Sequence, residues 1–275
     1  MIRIGDPFPP APGRVADIYD EFSSAELRTD LWVDHYLPHW TTPDRSRARY
    51  SLTAAGLELR IDADQLDWRP EDSPLRVSNL QTGLFSGEVG SSVGTHRHRP
   101  DSLVVRTETP ELNLWAPTNG RLEVEVSASV DEGCMLAAWL VGSETRGRTE
   151  GGEICIFEID AATVGASSRA RSGIKAHSDP ALETDMTEVE LPVDAERRHR
   201  WEVEWCDAGV LIGCEGTVVF TSAQVLDYPM FLMLDLFETS ERSVPQEYPK
   251  TAAIHSVRGW AFGDSGDQWR WTLSA

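Results

Sequence analysis

Two glutamates in residues 151–160, GGEICIFEID, are the side chains of this sequence best placed to do chemistry. The segment reads as one strand, with Glu153 and Glu158 five positions apart. In an unbroken strand an odd separation puts the two carboxylates on opposite faces. Glu158 would then be buried beside Ile154 and Ile156, at a cost that only a partner offsets. One β-bulge near Ile156–Phe157 adds a residue and shifts the register by one. Glu153, Cys155, Glu158 and Asp160 then share a polar face, while Ile154, Ile159 and one of Ile156 or Phe157 face a core. Two carboxylates on one face, about 5–5.5 Å apart, suit retaining hydrolysis of a glycosidic bond. One attacks the anomeric carbon; the other protonates the departing oxygen and then activates water. Two solvated glutamates on an exposed strand fit the same spacing, and E-x4-E by itself does not separate the readings.

The elements that would carry such a site are strands. Leu57, Leu59 and Ile61 alternate with Glu58 and Arg60. Leu122, Val124 and Val126 alternate with Arg121, Glu123 and Glu125, and Trp201, Val203 and Trp205 with Glu202 and Glu204. Period 2 marks strands with one buried face. Residues 134–141 (CMLAAWLV) and 230–237 (MFLMLDLF) are apolar without alternation, which suits central strands covered on both sides or a buried helix. Turn pairs such as Asn119-Gly120 and Glu215-Gly216 punctuate the runs, and no long amphipathic helix is evident. Many short strands with polar turns predict an all-β sandwich of two packed antiparallel sheets. Residues 5–13 (GDPFPPAPG) read as extended, because proline and glycine disfavour helix and ladder alike. The reading is an arm over 1–17 and a single domain over 18–275. Irregular stretches 64–75, 87–101, 143–152, 178–190 and 239–250 are expected to wall a cleft. Of the ten Trp, most should pack the core and a few should offer flat faces on which a pyranose ring can stack.

Composition narrows the classes. Lys and Arg number 25 against 45 Asp and Glu, a formal charge of −20, which repels phosphate backbones and argues against nucleic acid as a partner. No apolar run approaches the roughly 20 residues of a membrane helix, so no membrane partner is expected. Cys134, Cys155, Cys206 and Cys214 form no C-x-x-C pair, so buried reduced thiols are expected in place of a zinc site or a disulfide framework. The N-terminus lacks the apolar stretch of a signal peptide, which predicts a cytoplasmic protein, or a secreted one whose leader has been removed. The chain is expected to be a monomer without a cofactor. No Walker loop, G-x-G-x-x-G or G-x-S-x-G occurs.

GEICIFE resembles the active-site strand of glycoside hydrolase family 16, the laminarinase-like jelly rolls, whose pattern is E-x-D-x-x-E with a β-bulge. Further blocks follow in the family's order. Residues 119–126 (NGRLEVEV) resemble its G-R-(L/F/I)-E-V/A-R strand, and 133–142 (GCMLAAWLVG) its G-x-W-P-A-x-W-L-L-G strand. Residues 199–216 (HRWEVEWCDAGVLIGCEG) are similar to H-x-Y-x-x-E-W-x-x-D-x-I-x-x-x-x-D-G, and 228–236 (YPMFLMLDL) to P-M-(Y/F)-L-I-L-N-L. Residues 254–262 (IHSVRGWAF) fall where the family ends with V-D-Y-V-R-V-Y, and 20–22 (DEF) where it begins. The resemblance implies a β-jelly-roll sandwich with a concave carbohydrate cleft. It implies Glu153 as nucleophile, Glu158 as general acid/base and Trp139 lining the cleft, with Asp235, Glu123 and Trp115 as further substrate-binding candidates. His177, in IKAH, falls where the family often has a cleft histidine; it either bonds substrate or acid/base, or is an exposed residue before a polar loop. The function implied is retaining endo-hydrolysis of a β-linked polysaccharide or oligosaccharide. The acidic charge favours a β-1,3-glucan-like substrate over a sulfated galactan.

The departures from the pattern are specific. The middle Asp of the motif is Cys155, a thiol that is neutral near pH 7 and a weak hydrogen-bond partner. It is a candidate supporting residue that orients the pair less well than an Asp, which leaves a catalytically silent carbohydrate-binding protein as the alternative function. The first Trp and Pro of the preceding strand are Met135 and Leu136, and the Asn of L-N-L is Asp235. His255 stands where the family carries a calcium-binding Asp, so no metal is carried over. Residues 96–99 (HRHR) are read as a solvated loop and not as a metal or anion site, because no third ligand is close in sequence.

Overall fold

The computed structural model describes residues 2–99, 102–241, 246–263 and 271. In chain order the strands are β1 (Ile18–Asp20), β2 (Arg49–Thr53), β3 (Gly56–Ile61), β4 (Arg76–Gln81), β5 (Gly83–Leu84), β6 (Leu112–Asn113), β7 (Gly120–Ser127) and β8 (Cys134–Gly142). They continue as β9 (Glu153–Asp160), β10 (Ser168–Lys175), β11 (Asp185–Leu191), β12 (His199–Cys206), β13 (Gly209–Cys214), β14 (Thr217–Ser222), β15 (Met230–Glu238) and β16 (Lys250–Ala261). Among the described residues the helices are short: α1 (Pro43–Ser46) and four single 3-10 turns.

Two antiparallel sheets pack face to face. The back sheet has eight strands in the order β14-β13-β12-β7-β16-β3-β2, with β1 on β16; the front sheet runs β11-β10-β9-β8-β15-β4. Both apolar runs are interior strands of the front sheet, as their lack of alternation requires. On β8 and β15, Leu136, Ala138, Leu140, Leu232, Leu234 and Leu236 face the core between the sheets. The alternate residues Ala137, Trp139, Val141, Phe231, Met233 and Phe237 face outward, under a second apolar cluster. Val77 of β4 and Cys155 of β9 join that cluster, together with Tyr36, Leu37, Trp40, Trp68, Leu103 and Val105. The last six lie outside the strands, and they cover part of the front face while leaving a cavity over the rest.

The N-terminal arm is anchored. Pro7 bridges to Thr217, and Phe8 packs against Leu211 and Val218 with the Arg121 guanidinium 5.0 Å from its ring. Residues 185–190, expected to be irregular, form edge strand β11 together with Leu191. Buried Val189 and Leu191 alternate there with exposed Glu188 and Glu190, a period-2 signal diluted by the polar stretch before it.

Candidate active site

Strand β9 carries the predicted bulge. Trp139 pairs with Cys155 and Ala138 with Phe157, so one residue of β9 is unmatched between them. Ile154, Ile156, Phe157 and Ile159 all pack into the inter-sheet core, one more than expected. Glu153, Cys155, Glu158 and Asp160 therefore point outward together. The partner strand bends in step: its register shifts between Arg171 and Gly173. Gly173, at φ 150°, has no room for a Cβ, which would lie 2.1 Å from the Asp185 carbonyl oxygen.

Across β10, Lys175 pairs with Glu153 and Arg171 with Glu158. Lys175 Nζ lies 2.9 Å from Glu153 Oε1 and donates to Glu158 Oε1 at 2.6 Å. It also sits 5.1 Å from the centre of the Trp139 ring. Arg171 Nε donates to Glu158 Oε2 at 2.9 Å, and its Nη1 pairs with Asp160. The carboxylate oxygens of Glu153 and Glu158 and the Cys155 sulfur lie within 4.8 Å of one another. Neither cation was anticipated. The available signal was the alternation Arg169, Arg171 with Lys175 on a strand adjoining an acidic one, where opposite charges face each other.

His177 reaches the other side of the nucleophile candidate: its Nε2–H donates to Glu153 Oε2 at 2.8 Å. It contacts Glu153 and not Glu158. His96 Nε2 lies 3.8 Å from the same oxygen, and the two imidazole rings meet edge to face at 5.1 Å. The HRHR segment is thus not a solvated loop. His96 is 6% exposed and His98 stacks on Trp68 at 5.7 Å. The loop folds inward because the buried Glu144 carboxylate accepts the His96 N–H at 2.7 Å and the Arg97 N–H at 3.4 Å. Trp68, Trp139, Glu153 and His177, its other partners, come from segments distant in sequence, which is why spacing alone pointed the other way.

Burial works against charge on Glu153, but the His177 hydrogen bond and the Lys175 and His96 neighbours outweigh it and hold the carboxyl at about 2. Burial pushes the Cys155 thiol well above its usual range, and its Sγ approaches the Arg171 carbonyl oxygen at 3.6 Å. A neutral, enclosed thiol is no nucleophile. Burial also lowers His98 to about 4 and His96 well below its ordinary value, while Glu144 is raised to about 7.

A cavity of about 610 Å³ opens over these groups, lined by Glu153, Glu158, Lys175, His96, His177 and Trp139, among others. Of the Trp residues described, Trp139 is the one on its wall. Three other candidates sit elsewhere. Glu123 projects from the outer face of β7 in the back sheet and pairs with Arg121 at 2.8 Å, because Leu122 and Val124 take the core side of that strand. Trp115 is enclosed between the sheets, edge-on to Trp205 at 6.2 Å. Asp235 shares the outward face of β15 but is fully buried beneath the cavity, where burial raises its carboxyl well above the usual range and Asn79 donates to it at 2.8 Å. His255, on the back sheet, is committed through both ring nitrogens, to Ser127 at 3.0 Å and to the Ala55 carbonyl at 2.8 Å.

No protein-family model and no curated protein matches the sequence. Solved structures do match. The GlcNAcα1-4Gal-releasing endo-β-galactosidase from Clostridium perfringens is similar at a TM-score of 0.74 and 25% identity, over 92% of this chain. The chain spans 65% of that protein's length. The laminarinase catalytic domain of Thermotoga maritima matches at 0.61 and 14% identity, covering 90% of this chain and 98% of that one. A non-specific endo-β-1,3(4)-glucanase of glycoside hydrolase family 16 matches at 0.63 and 14%, covering 93% and 97%. The fold is the jelly-roll sandwich of glycoside hydrolase family 16.

Proposed function

We propose that this chain is a retaining endo-glycosidase acting on a β-linked glycan, with Glu153 as nucleophile and Glu158 as acid/base. One observation carries the reading: the bulge in β9 turns both carboxylates into one cavity with oxygens within 4.8 Å, in keeping with the about 5–5.5 Å between carboxyl groups of retaining enzymes. Glu153, ionised and fixed by His177, attacks the anomeric carbon as the bond to the departing oxygen breaks. Glu158 gives that oxygen a proton. It then takes one from the water that displaces Glu153 from the glycosyl-enzyme. Trp139 offers an apolar face to the sugar ring at this point.

Lys175 sets a condition on this sequence of steps. Lys175 donates to one oxygen of Glu158 and Arg171 to the other, so Glu158 can face the departing oxygen only when one of these contacts gives way. Lys175 Nζ lies between the two carboxylates, where a sugar must enter, so substrate entry displaces it. The likeness to an endo-β-galactosidase supports a neutral glycan with a β-galactosidic linkage, with β-1,3-glucan as the second substrate to try. The same cations, together with Cys155 in place of the motif Asp, favour a second reading: a carbohydrate-binding protein that keeps the cleft without hydrolysis.

Product release from β-galactan, mucin-type and β-1,3-glucan substrates, with Glu153→Gln alongside, tests the proposal. Hydrolysis by the parent that falls by about 10³-fold or more in the variant is expected. Oligosaccharide binding without product, unchanged by Cys155→Asp, would move the assignment to the binding protein.

A further inference from the structure

Of the six non-glycine residues with left-handed backbone in the described chain, two aim at one carboxylate and a third holds one of those two in place. His96 has φ 55°, Glu144 φ 56° and His177 φ 44°. Such conformations are strained for side-chain-bearing residues and persist where the surroundings impose them. Here Glu144 clamps the His96 backbone, and the strain is spent aiming two imidazoles from separate loops at Glu153 Oε2. Hydrogen bonding explains one of them. His177 already satisfies that oxygen at 2.8 Å, whereas His96 Nε2, at 3.8 Å, is too far for a hydrogen bond. Glycosidic chemistry as proposed above makes no use of His96.

We propose that His96, His177 and Glu153 form a three-ligand site for a divalent transition metal, zinc first, with its fourth position open to the cavity. The ligand atoms lie within 4.8 Å of one another. Tetrahedral zinc, with nitrogen and oxygen ligands at about 2.0–2.1 Å, places its ligand atoms about 3.3–3.4 Å apart. Closing His96 by about 0.5 Å and opening His177 by a similar amount brings both nitrogens to that distance from Glu153 Oε2. Two imidazoles and one carboxylate suit zinc and its neighbours, while calcium and magnesium prefer oxygen alone. Lys175 stays on the other oxygen, Oε1, and the chain's formal charge of −20 draws cations to it. Metal on Oε2 ties up the carboxylate that would attack sugar, so the site acts as a reversible block. Metal binding itself does not depend on the glycosidase reading, and the test is kept separate from catalysis.

The test is calorimetric titration of the untagged chain with zinc chloride. One zinc per chain is expected, with affinity reduced about tenfold or more in both His96→Gln and His177→Gln and unchanged in Cys155→Ser. The partly exposed His177 decides the matter if His96→Gln does not fold. Cobalt(II) in the parent should give visible bands without a sulfur charge-transfer band. No saturable isotherm, an isotherm that neither histidine substitution alters, or one lost with Cys155→Ser would overturn the site.

Discussion

Charged residues crowd both outer faces of this sandwich, and the two faces use them differently. On the back sheet they follow the strand alternation. Arg121 pairs with Glu123 and Glu204 at 2.8 and 2.7 Å, Arg200 with Glu202 at 2.8 Å, and Arg198 with Glu125. The space among Glu123, Glu125, Arg198, Arg200 and Arg258 is about 130 Å³. On the front sheet a bulge, a glycine at φ 150° and three left-handed side-chain residues bring charges out of register and onto one spot. Glu153 there meets one ammonium and two imidazoles under a cavity of about 610 Å³. Density of charge is therefore common to both faces. What marks the front face is convergence bought with backbone strain.

The sharpest way to separate the faces is acid. His39, buried and bonded to the Thr95 carbonyl beneath the His96 loop, is lowered by that burial to about 4. Between about 6.5 and 4 the unfolded chain holds a proton there that the folded chain does not, so stability falls as pH drops through that window. His39 alone accounts for about 3 kcal/mol, and His98, lowered to about 4 but keeping an edge exposed, for less. Glu153, held at about 2, contributes stability above its ordinary range that is lost as pH falls toward 2. The back face has no matching trend: burial raises Glu202, whereas Glu125 is lowered, its burial outweighed by Arg198. Glu144, raised to about 7 by burial, works the opposite way in the same window, because there the folded chain holds a proton that the unfolded chain does not. The check is therefore a difference between chains: from pH 7 to 4.5, urea unfolding of His39→Gln should lose about 2 kcal/mol less than the parent, while Glu123→Gln follows the parent. The same pH dependence in His39→Gln and the parent would break the comparison.

The second effect is a crossed pair of substitutions. Arg121 is 3% exposed at its side chain and serves Glu204 and Glu123 together. Arg121→Met takes the cation from both carboxylates, leaving Glu204 the Trp271 indole N–H at 2.6 Å, and should cost about 3 kcal/mol of stability without altering any hydrolysis. Lys175→Met should do the reverse, costing less stability because Arg171 and His177 still serve Glu158 and Glu153. It should change hydrolysis or oligosaccharide affinity, since Lys175 lies between the two carboxylates where the sugar enters. Thermal melts and hydrolysis rates of the two variants check this, and identical behaviour would mean that both faces are structural.

The same contrast explains what the sequence made legible. Regular alternation announced β3, β7 and β12, and unbroken apolar runs announced β8 and β15 as interior strands, because burial on one or two faces writes itself directly into residue order. The bulge at Ile156–Phe157 was legible for the same reason: without it Glu158 would have lain among isoleucines. Lys175, Arg171 and His96 were not legible. Their roles arise from cross-strand pairing and from a loop folded inward by Glu144, contacts that span 17, 13 and 48 residues. Glu123 and Trp115 lie away from the cavity for a different reason. The strand of Glu123 was recognisable, but which sheet faces the cavity is a property of topology, and the block carrying Glu123 belongs to the back sheet.

The smallest predicted effect is the most direct check on that assignment. Glu123 accepts from Arg121 on the far side of the core from Glu153, with its carboxylate 11% exposed. Glu123→Gln removes half of one ion pair, yet Arg121 keeps Glu204 and the Pro9 carbonyl, each at 2.7 Å. The amide oxygen of Gln can still accept from the guanidinium. The expected cost is therefore about 1 kcal/mol or less in urea unfolding, with hydrolysis and oligosaccharide affinity within about twofold of the parent. A loss of sugar binding in this variant would place a carbohydrate surface on the back sheet, and would make its ordered charge pairs, not the strained cluster around Glu153, the place to look for recognition.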